Sequence, residues 1–208
     1  KDVPGGDDPM LMFFTSGTTS YPKITTHNYK YPLGHYITAK YWHQVDPDGI
    51  HFAISDTGWG KALWGKLYGQ WICEAPIFTY DFDDFDAKKI LQMIEKYKIT
   101  TFCAPPTAYR VMVHLQLEKY DLSSMLIGNI KGMTPRPGSM GKPSPLYEVA
   151  VMLSDGSIAK TGEEGEIVVK VADGVPNGLF TGYYNDKEKT DSVWYDGYYH
   201  TGDTACMD

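Results

Sequence analysis

From Met10 to about Tyr120, short apolar runs alternate with stretches whose apolar residues recur at helical spacing. Met10-Leu11-Met12-Phe13-Phe14 follows a polar, Gly- and Pro-containing opening and predicts a buried strand. His35 to His43 suits a helix, and Ile50-His51-Phe52-Ala53-Ile54 predicts the next strand. Between Trp59 and Trp71, the residues Leu63, Trp64, Leu67, Tyr68 and Trp71 fall at helical spacing. Ala75 to Tyr80 is strand-like. Ala87, Ile90, Leu91, Ile94 and Tyr97 mark an amphipathic helix. Asp86 precedes it as a cap, because its side-chain oxygen can accept from the free N–H groups of the first turn. Ile99 to Cys103 predicts another strand, and Pro106 to Glu118 a helix with proline in its first turn, where a missing N–H is tolerated.

This alternation predicts an α/β layer with a largely parallel sheet and flanking helices. After Tyr120 the texture changes. Four of the 13 prolines fall between Met133 and Pro145, as in an extended connector. Tyr147 to Leu153 alternates as a strand, Ser154-Asp155-Gly156-Ser157 is a turn, and Gly165 to Val171 is a further strand. Short pieces then run through Tyr183-Tyr184 and from Val193 to His200. The predicted division is an α/β subdomain over residues 1–124 and a smaller β-rich subdomain over 125–208.

Composition narrows the classes of function. The 208 residues are 42% apolar and 14% aromatic, enough for a core and for the walls of an apolar pocket. A net charge of −7 disfavours a nucleic-acid partner, whereas a nucleotide needs only a few local donors. Cys73, Cys103 and Cys206 are far apart and odd in number. That argues for free, mostly buried thiols in a reducing compartment and against a disulfide framework or a zinc site, so no residue is assigned to a metal. No apolar run approaches the length of a membrane helix, and the start is not signal-like. A soluble cytoplasmic protein is therefore expected, with a homo-oligomer left open. The chain opens on Lys1, so an upstream part is expected as well.

The chemistry centres on Thr15-Ser16-Gly17-Thr18-Thr19-Ser20-Tyr21-Pro22-Lys23, which directly follows the first strand. Gly17 lets the backbone approach an anion, and the hydroxyls of Thr15, Ser16, Thr18 and Thr19 can donate to phosphate oxygens. Lys23 can add a positive charge. The spacing is not that of a Walker loop. On composition alone, a polar surface loop before a Pro-Lys turn remains the competing reading.

The same nine residues resemble the signature loop of the adenylate-forming superfamily, Thr-Ser-Gly-Thr-Thr-Gly-x-Pro-Lys, with Ser20 in place of the second glycine. Three segments follow in the order that family implies. Ala104-Pro105-Pro106-Thr107-Ala108-Tyr109-Arg110 resembles the strand-to-helix turn bordering the acyl and adenylate pocket. Gly162-Glu163-Glu164-Gly165-Glu166-Ile167 is similar to a Gly-Glu-x-Gly-Glu-Ile element, read here as structural. Tyr199-His200-Thr201-Gly202-Asp203 resembles the Tyr-x-Thr-Gly-Asp motif, which implies that Asp203 accepts from the ribose hydroxyls of ATP. Ser55-Asp56-Thr57-Gly58-Trp59-Gly60-Lys61 and Pro137-Gly138-Ser139-Met140-Gly141-Lys142-Pro143 look like the acetyl-CoA synthetase and medium-chain acyl-CoA synthetase branch. In that branch Trp59, Gly60, Trp64 and Thr107 would border the acyl pocket. The alternative for Trp59 and Trp64 is the core of an amphipathic helix.

The resemblance implies the large N-terminal domain of an adenylate-forming enzyme, incomplete, with the mobile C-terminal domain and its lysine absent. It also implies a stretch holding a Tyr-Gly-x-Thr-Glu motif that would serve phosphates and magnesium. Here Asp121-Leu122-Ser123-Ser124 runs directly into Met125, and no such motif is present. Both flanks match, so intervening residues are expected in the natural protein, a point that an intact-mass measurement would check. The implied reaction joins a small or medium-chain carboxylic acid to CoA through an acyl-adenylate, with ATP, Mg²⁺ and CoA taking part and Lys23 as the catalytic cation. An aryl-CoA ligase, a peptide-synthetase adenylation domain and a non-catalytic nucleotide-binding module are the alternatives. A kinase-like use of the loop finds no second motif.

Overall fold

The computed structural model describes residues 3–15, 22–125 and 141–207. The chain divides into two compact units, one of Lys1–Tyr31 with Met140–Asp208 and one of Pro32–Ser139. This division differs from the expected 1–124 and 125–208, because the opening strands pack with the C-terminal ones.

The chain starts with strands β1 (Pro9–Thr15) and β2 (Lys23–Asn28). It continues through helix α1 (Tyr31–Ile37), which runs into a π-helical turn at Thr38–Trp42. Next come β3 (His51–Ala53), α2 (Lys61–Trp64), α3 (Tyr68–Ile72) and β4 (Ile77–Phe78). Helix α4 (Ala87–Tyr97), β5 (Thr101–Cys103) and α5 (Pro106–Met112) follow. After the connector come β6 (Val149–Met152), β7 (Glu164–Lys170), β8 (Gly182–Tyr183), α6 (Lys187–Asp191), β9 (Trp194–Tyr195) and β10 (Tyr198–Cys206).

In the Pro32–Ser139 unit, β3 pairs in parallel with β4 on one side and β5 on the other. This is the predicted α/β layer, on short strands. Its core joins Phe52 of β3, Ala87, Ile90 and Ile94 of α4, Ile99 and Met112. Asp86 caps α4 as predicted, accepting from the Lys88 and Lys89 amides at 2.9 and 3.3 Å. Leu122 and Met125 pack against the same core, and the Met125 amide donates to the Leu122 carbonyl, so a closed turn spans the Ser124–Met125 junction.

The helix expected from Trp59 to Trp71 is broken. Helix α2 ends at Trp64 and α3 begins at Tyr68, while Trp59 sits in the turn ahead of α2. Gly69 explains part of the local geometry. A Cβ at this position would overlap the His35 carbonyl and lie 2.8 Å from Ala39 Cβ, so only glycine lets α3 approach the α1–π segment this closely. Gly69→Ala is expected to cost about 1–3 kcal/mol by forcing these elements apart. A urea unfolding midpoint would measure it.

The other unit is antiparallel. The first strand was expected to be buried in a parallel sheet. Instead β1 and β2 form a hairpin, joined on the β2 edge by β8. Phe14 is 75% exposed, and β1 alternates between exposed and half-buried positions rather than being covered on both faces. The second sheet has the order β6-β7-β10-β9. Asp196 and Gly197 carry positive φ angles of 52° and 80° and turn the β9–β10 hairpin, a conformation that Asp-Gly accommodates. Among the described residues no helix is long and apolar enough to cross a membrane. Cys73 is buried, Cys103 is half-buried and Cys206 is exposed, so the third thiol departs from the expectation.

Candidate nucleotide site

The loop expected to hold phosphates is the connection of the β1–β2 hairpin. Thr15 stands opposite Lys23 in the ladder, so its two ends are anchored side by side. The Thr15 hydroxyl faces the Lys23 carbonyl at 3.5 Å. Ser16, Gly17, Thr18 and Thr19 lie outside the described residues. Lys23 is half-buried, and its Nζ lies 5.6 Å from the centre of the Tyr183 ring on β8.

Tyr183 leads to the second feature in this unit. Its ring meets Phe180 at 5.3 Å, and Phe180 meets Tyr199 at 5.1 Å and Trp194 at 5.8 Å. Tyr199 opens the segment that carries Asp203. Burial raises its phenol pKa, with smaller contributions from Tyr183, Asp203 and Glu166. An aromatic stack thus connects the loop-closing lysine to the strand bearing the ribose candidate.

Asp203 sits in a break in the ladder. Along β10, His200 pairs with Val168 and Thr204 with Glu166, so Thr201, Gly202 and Asp203 together face Ile167 alone. Gly202 takes φ +79°, which glycine adopts without strain. Thr201 Oγ1 donates to the Ile167 carbonyl at 2.8 Å, and the Asp203 amide donates to Thr201 Oγ1 at 3.1 Å. Asp203 is exposed, so its carboxylate is free to accept from two adjacent hydroxyls.

Sequence reasoning gave Glu166 only a structural role and His200 none. Glu166 Oε1 accepts from the Gly202 amide at 2.8 Å, and Oε2 accepts from His200 Nδ1 at 2.9 Å. These bonds, the His200 one first, hold the Glu166 carboxyl below its ordinary pKa. The signal that could have pointed to Glu166 is the fixed order of the Gly-Glu-x-Gly-Glu-Ile and Tyr-x-Thr-Gly-Asp segments.

In the Pro32–Ser139 unit, Trp59 is 72% exposed and is no core residue. Gly60 caps α2, and Thr107 is an exposed residue in the first turn of α5. Trp64 is half-buried in a stack, 6.2 Å from Trp42 and 6.3 Å from His43, with rings nearly parallel. His43 also lies 5.1 Å from His51. Neither histidine was singled out from the sequence. Among the described residues there is no cluster of three His, Cys, Asp or Glu that could hold a metal ion.

The fold is that of the adenylate-forming enzymes. Over 99% of this chain and 47% of the other, it matches the crystal structure of apo MatB from Rhodopseudomonas palustris, with a TM-score of 0.85 at 20% identity. It matches an acyl-CoA synthetase from Brucella canis with a TM-score of 0.80 at 23% identity, over 98% of this chain and 44% of that one. The chain belongs to the AMP-binding enzyme family, whose model matches residues 1–129. Among curated relatives, the human mitochondrial acyl-coenzyme A synthetase ACSM3 is 34% identical over 96% of this chain, and the human mitochondrial ACSM5 is 32% identical over 97%. The chain spans about 40% of the length of these relatives. The ACSM3 alignment runs over 237 residues, against 208 in the whole chain, so that relative carries internal residues missing here. The names of these relatives are mitochondrial, which overturns the cytoplasmic expectation.

Proposed function

We propose that this chain is the ATP-handling part of an AMP-forming acyl-CoA synthetase that activates a small or medium-chain carboxylic acid, and that the protein works in mitochondria. The observation that carries the reading is the placing, in one compact unit, of the Thr15/Lys23 loop ends and the bulge that presents Asp203. The names of the relatives support the acyl-CoA step and the location.

In the first half-reaction, a carboxylate oxygen bonds to the α-phosphorus of ATP and the bond to the pyrophosphate oxygen breaks. In the second, the CoA sulfur bonds to the acyl carbon and AMP leaves with the former carboxylate oxygen. Charge accumulates on the departing pyrophosphate, and Lys23 with the hydroxyls of Thr15, Ser16, Thr18 and Thr19 would offset it by positioned donors. Asp203 would hold the ribose, so the α-phosphate is fixed relative to the attacking oxygen. Trp59, Gly60, Trp64 and Thr107 are proposed for the acyl side. Mg²⁺ is expected to travel with the triphosphate, and no step is assigned to it.

ATP–pyrophosphate exchange tests the reading, using acetate, butyrate, octanoate and benzoate as acids in the protein that carries this chain. Exchange driven by the aliphatic acids, followed by CoA thioester formation, is expected. ATP binding with no acid-dependent exchange would refute an activating enzyme, and exchange with benzoate alone would move the assignment to aryl acids.

A further inference from the structure

The bulge in β10 leaves a mechanical question that Glu166 answers. Three residues facing one cannot be held by ladder hydrogen bonds, and Gly202 at its centre is the most freely moving residue type. A carboxylate that must meet two hydroxyls needs its backbone fixed to a fraction of an ångström. Glu166 lies on the neighbouring strand, in register with Thr204 at the far end of the bulge. Each of its oxygens takes a separate donor, the Gly202 amide at the centre and the His200 ring at the near end. His200 is itself closely packed. It is 6% exposed, and its ring lies flat on Tyr195 with centroids 3.7 Å apart and planes 6° apart.

We propose that Glu166 is a positioning residue for Asp203: its carboxylate ties Gly202 and His200 to β7 and so sets where the Asp203 carboxylate meets the ribose hydroxyls. The inference rests on Asp203 being the ribose-binding group. Glu166 does not touch the nucleotide. It acts by removing the freedom of the three-residue loop, with the Thr201–Ile167 bond as the second anchor.

A purely structural Glu166 would weaken all nucleotides alike, whereas a positioning Glu166 matters only to a ligand with ribose hydroxyls. The experiment therefore compares equilibrium binding of AMP and of 2′,3′-dideoxy-AMP to the protein that carries this chain. The unaltered protein is expected to prefer AMP by about tenfold or more, the value of hydrogen bonds to a charged group. Asp203→Ala should bring the ratio close to one. Glu166→Ala should do the same while leaving the affinity for 2′,3′-dideoxy-AMP unchanged. Glu166→Gln should keep most of the preference, because its amide oxygen still accepts from Gly202. If thermal melting shows Glu166→Ala to be unfolded, Glu166→Asp decides, since it keeps the charge but withdraws it by one methylene and should also lose the preference. Equal weakening of both nucleotides, or an intact ratio, in the deciding variant overturns the proposal. An intact ratio in Asp203→Ala instead overturns the ribose assignment beneath it.

Discussion

Lys23→Ala is expected to lower acid-dependent ATP–pyrophosphate exchange by about a hundredfold or more, with little change in stability. The magnitude follows from removing one positioned charge from a site where negative charge develops in the transition state. Charge on pyrophosphate grows as it leaves, so the larger part of the loss should fall on kcat rather than on KM for ATP. Stability should hardly move. Lys23 is half-buried, and among the described residues its Nζ meets the Tyr183 ring at 5.6 Å, a contact of about 0.5–1 kcal/mol. Its ladder pairing with Thr15 uses the backbone, which alanine retains. Lys23→Arg should recover part of the rate, because it restores the charge on a differently shaped head group. Exchange kinetics beside thermal melts of the three proteins are the measurement. Unchanged exchange in Lys23→Ala would remove the loop from the mechanism, and a collapse of the melt would mean that Lys23 supports the fold instead.

Some of this arrangement was legible in the residues, and the reasons differ by element. Helix α4 was readable because its apolar stripe and the Asp86 cap are both local signals. The Thr15–Lys23 loop and Asp203 could be singled out as candidates because each lies in a short contiguous motif. The β1 strand was misjudged because five apolar residues in a row carry no information about which partner they pair with. Its partner β2, Lys-Ile-Thr-Thr-His-Asn, has no strong apolar alternation to betray it. The helix drawn across Trp59–Trp71 failed because helical spacing is preserved even when the backbone breaks between Trp64 and Tyr68. The Glu166 clamp spans 34 to 36 residues and exists only because β10 is bulged, which no local pattern encodes. The pairing of buried histidines is hidden for the same reason: His43 and His51 meet across a turn and the start of a strand.

Those two histidines give the second large effect, a loss of stability in mild acid that begins well before carboxylates titrate. His51 is 1% exposed. Its Nε2–H donates to the Gly65 carbonyl at 2.8 Å, and its Nδ1 accepts from the Thr101 hydroxyl at 2.8 Å, so the ring is satisfied as the neutral form. His43 takes Gln70 Nε2 on its Nδ1 at 3.0 Å and lies between Trp64 and His51. Burial pushes both pKa values down, that of His43 to about 3, with repulsion from His51 and Lys61 adding to it and Lys66 acting on His51. In the unfolded chain both rings titrate near 6.5. As pH falls below that value, the unfolded state takes up protons that the folded state refuses. Stability therefore falls with falling pH, by about 1.4 kcal/mol per pH unit for His43, or about 2 kcal/mol by pH 5, and His51 adds to the loss in the same direction. That is a large share of an ordinary folding free energy. Four of the five tryptophans, Trp42, Trp59, Trp64 and Trp71, lie in the same unit, so fluorescence-detected urea unfolding reports on it. Between pH 7 and pH 5 the midpoint should drop, with His43 supplying a slope approaching one proton and His51 steepening it. His43→Asn keeps an acceptor for Gln70 in its side-chain oxygen but cannot titrate, and should reduce the slope by close to one proton. A midpoint independent of pH over this range, or a slope unchanged in His43→Asn, would show that the buried pair is not what makes the unit sensitive to acid.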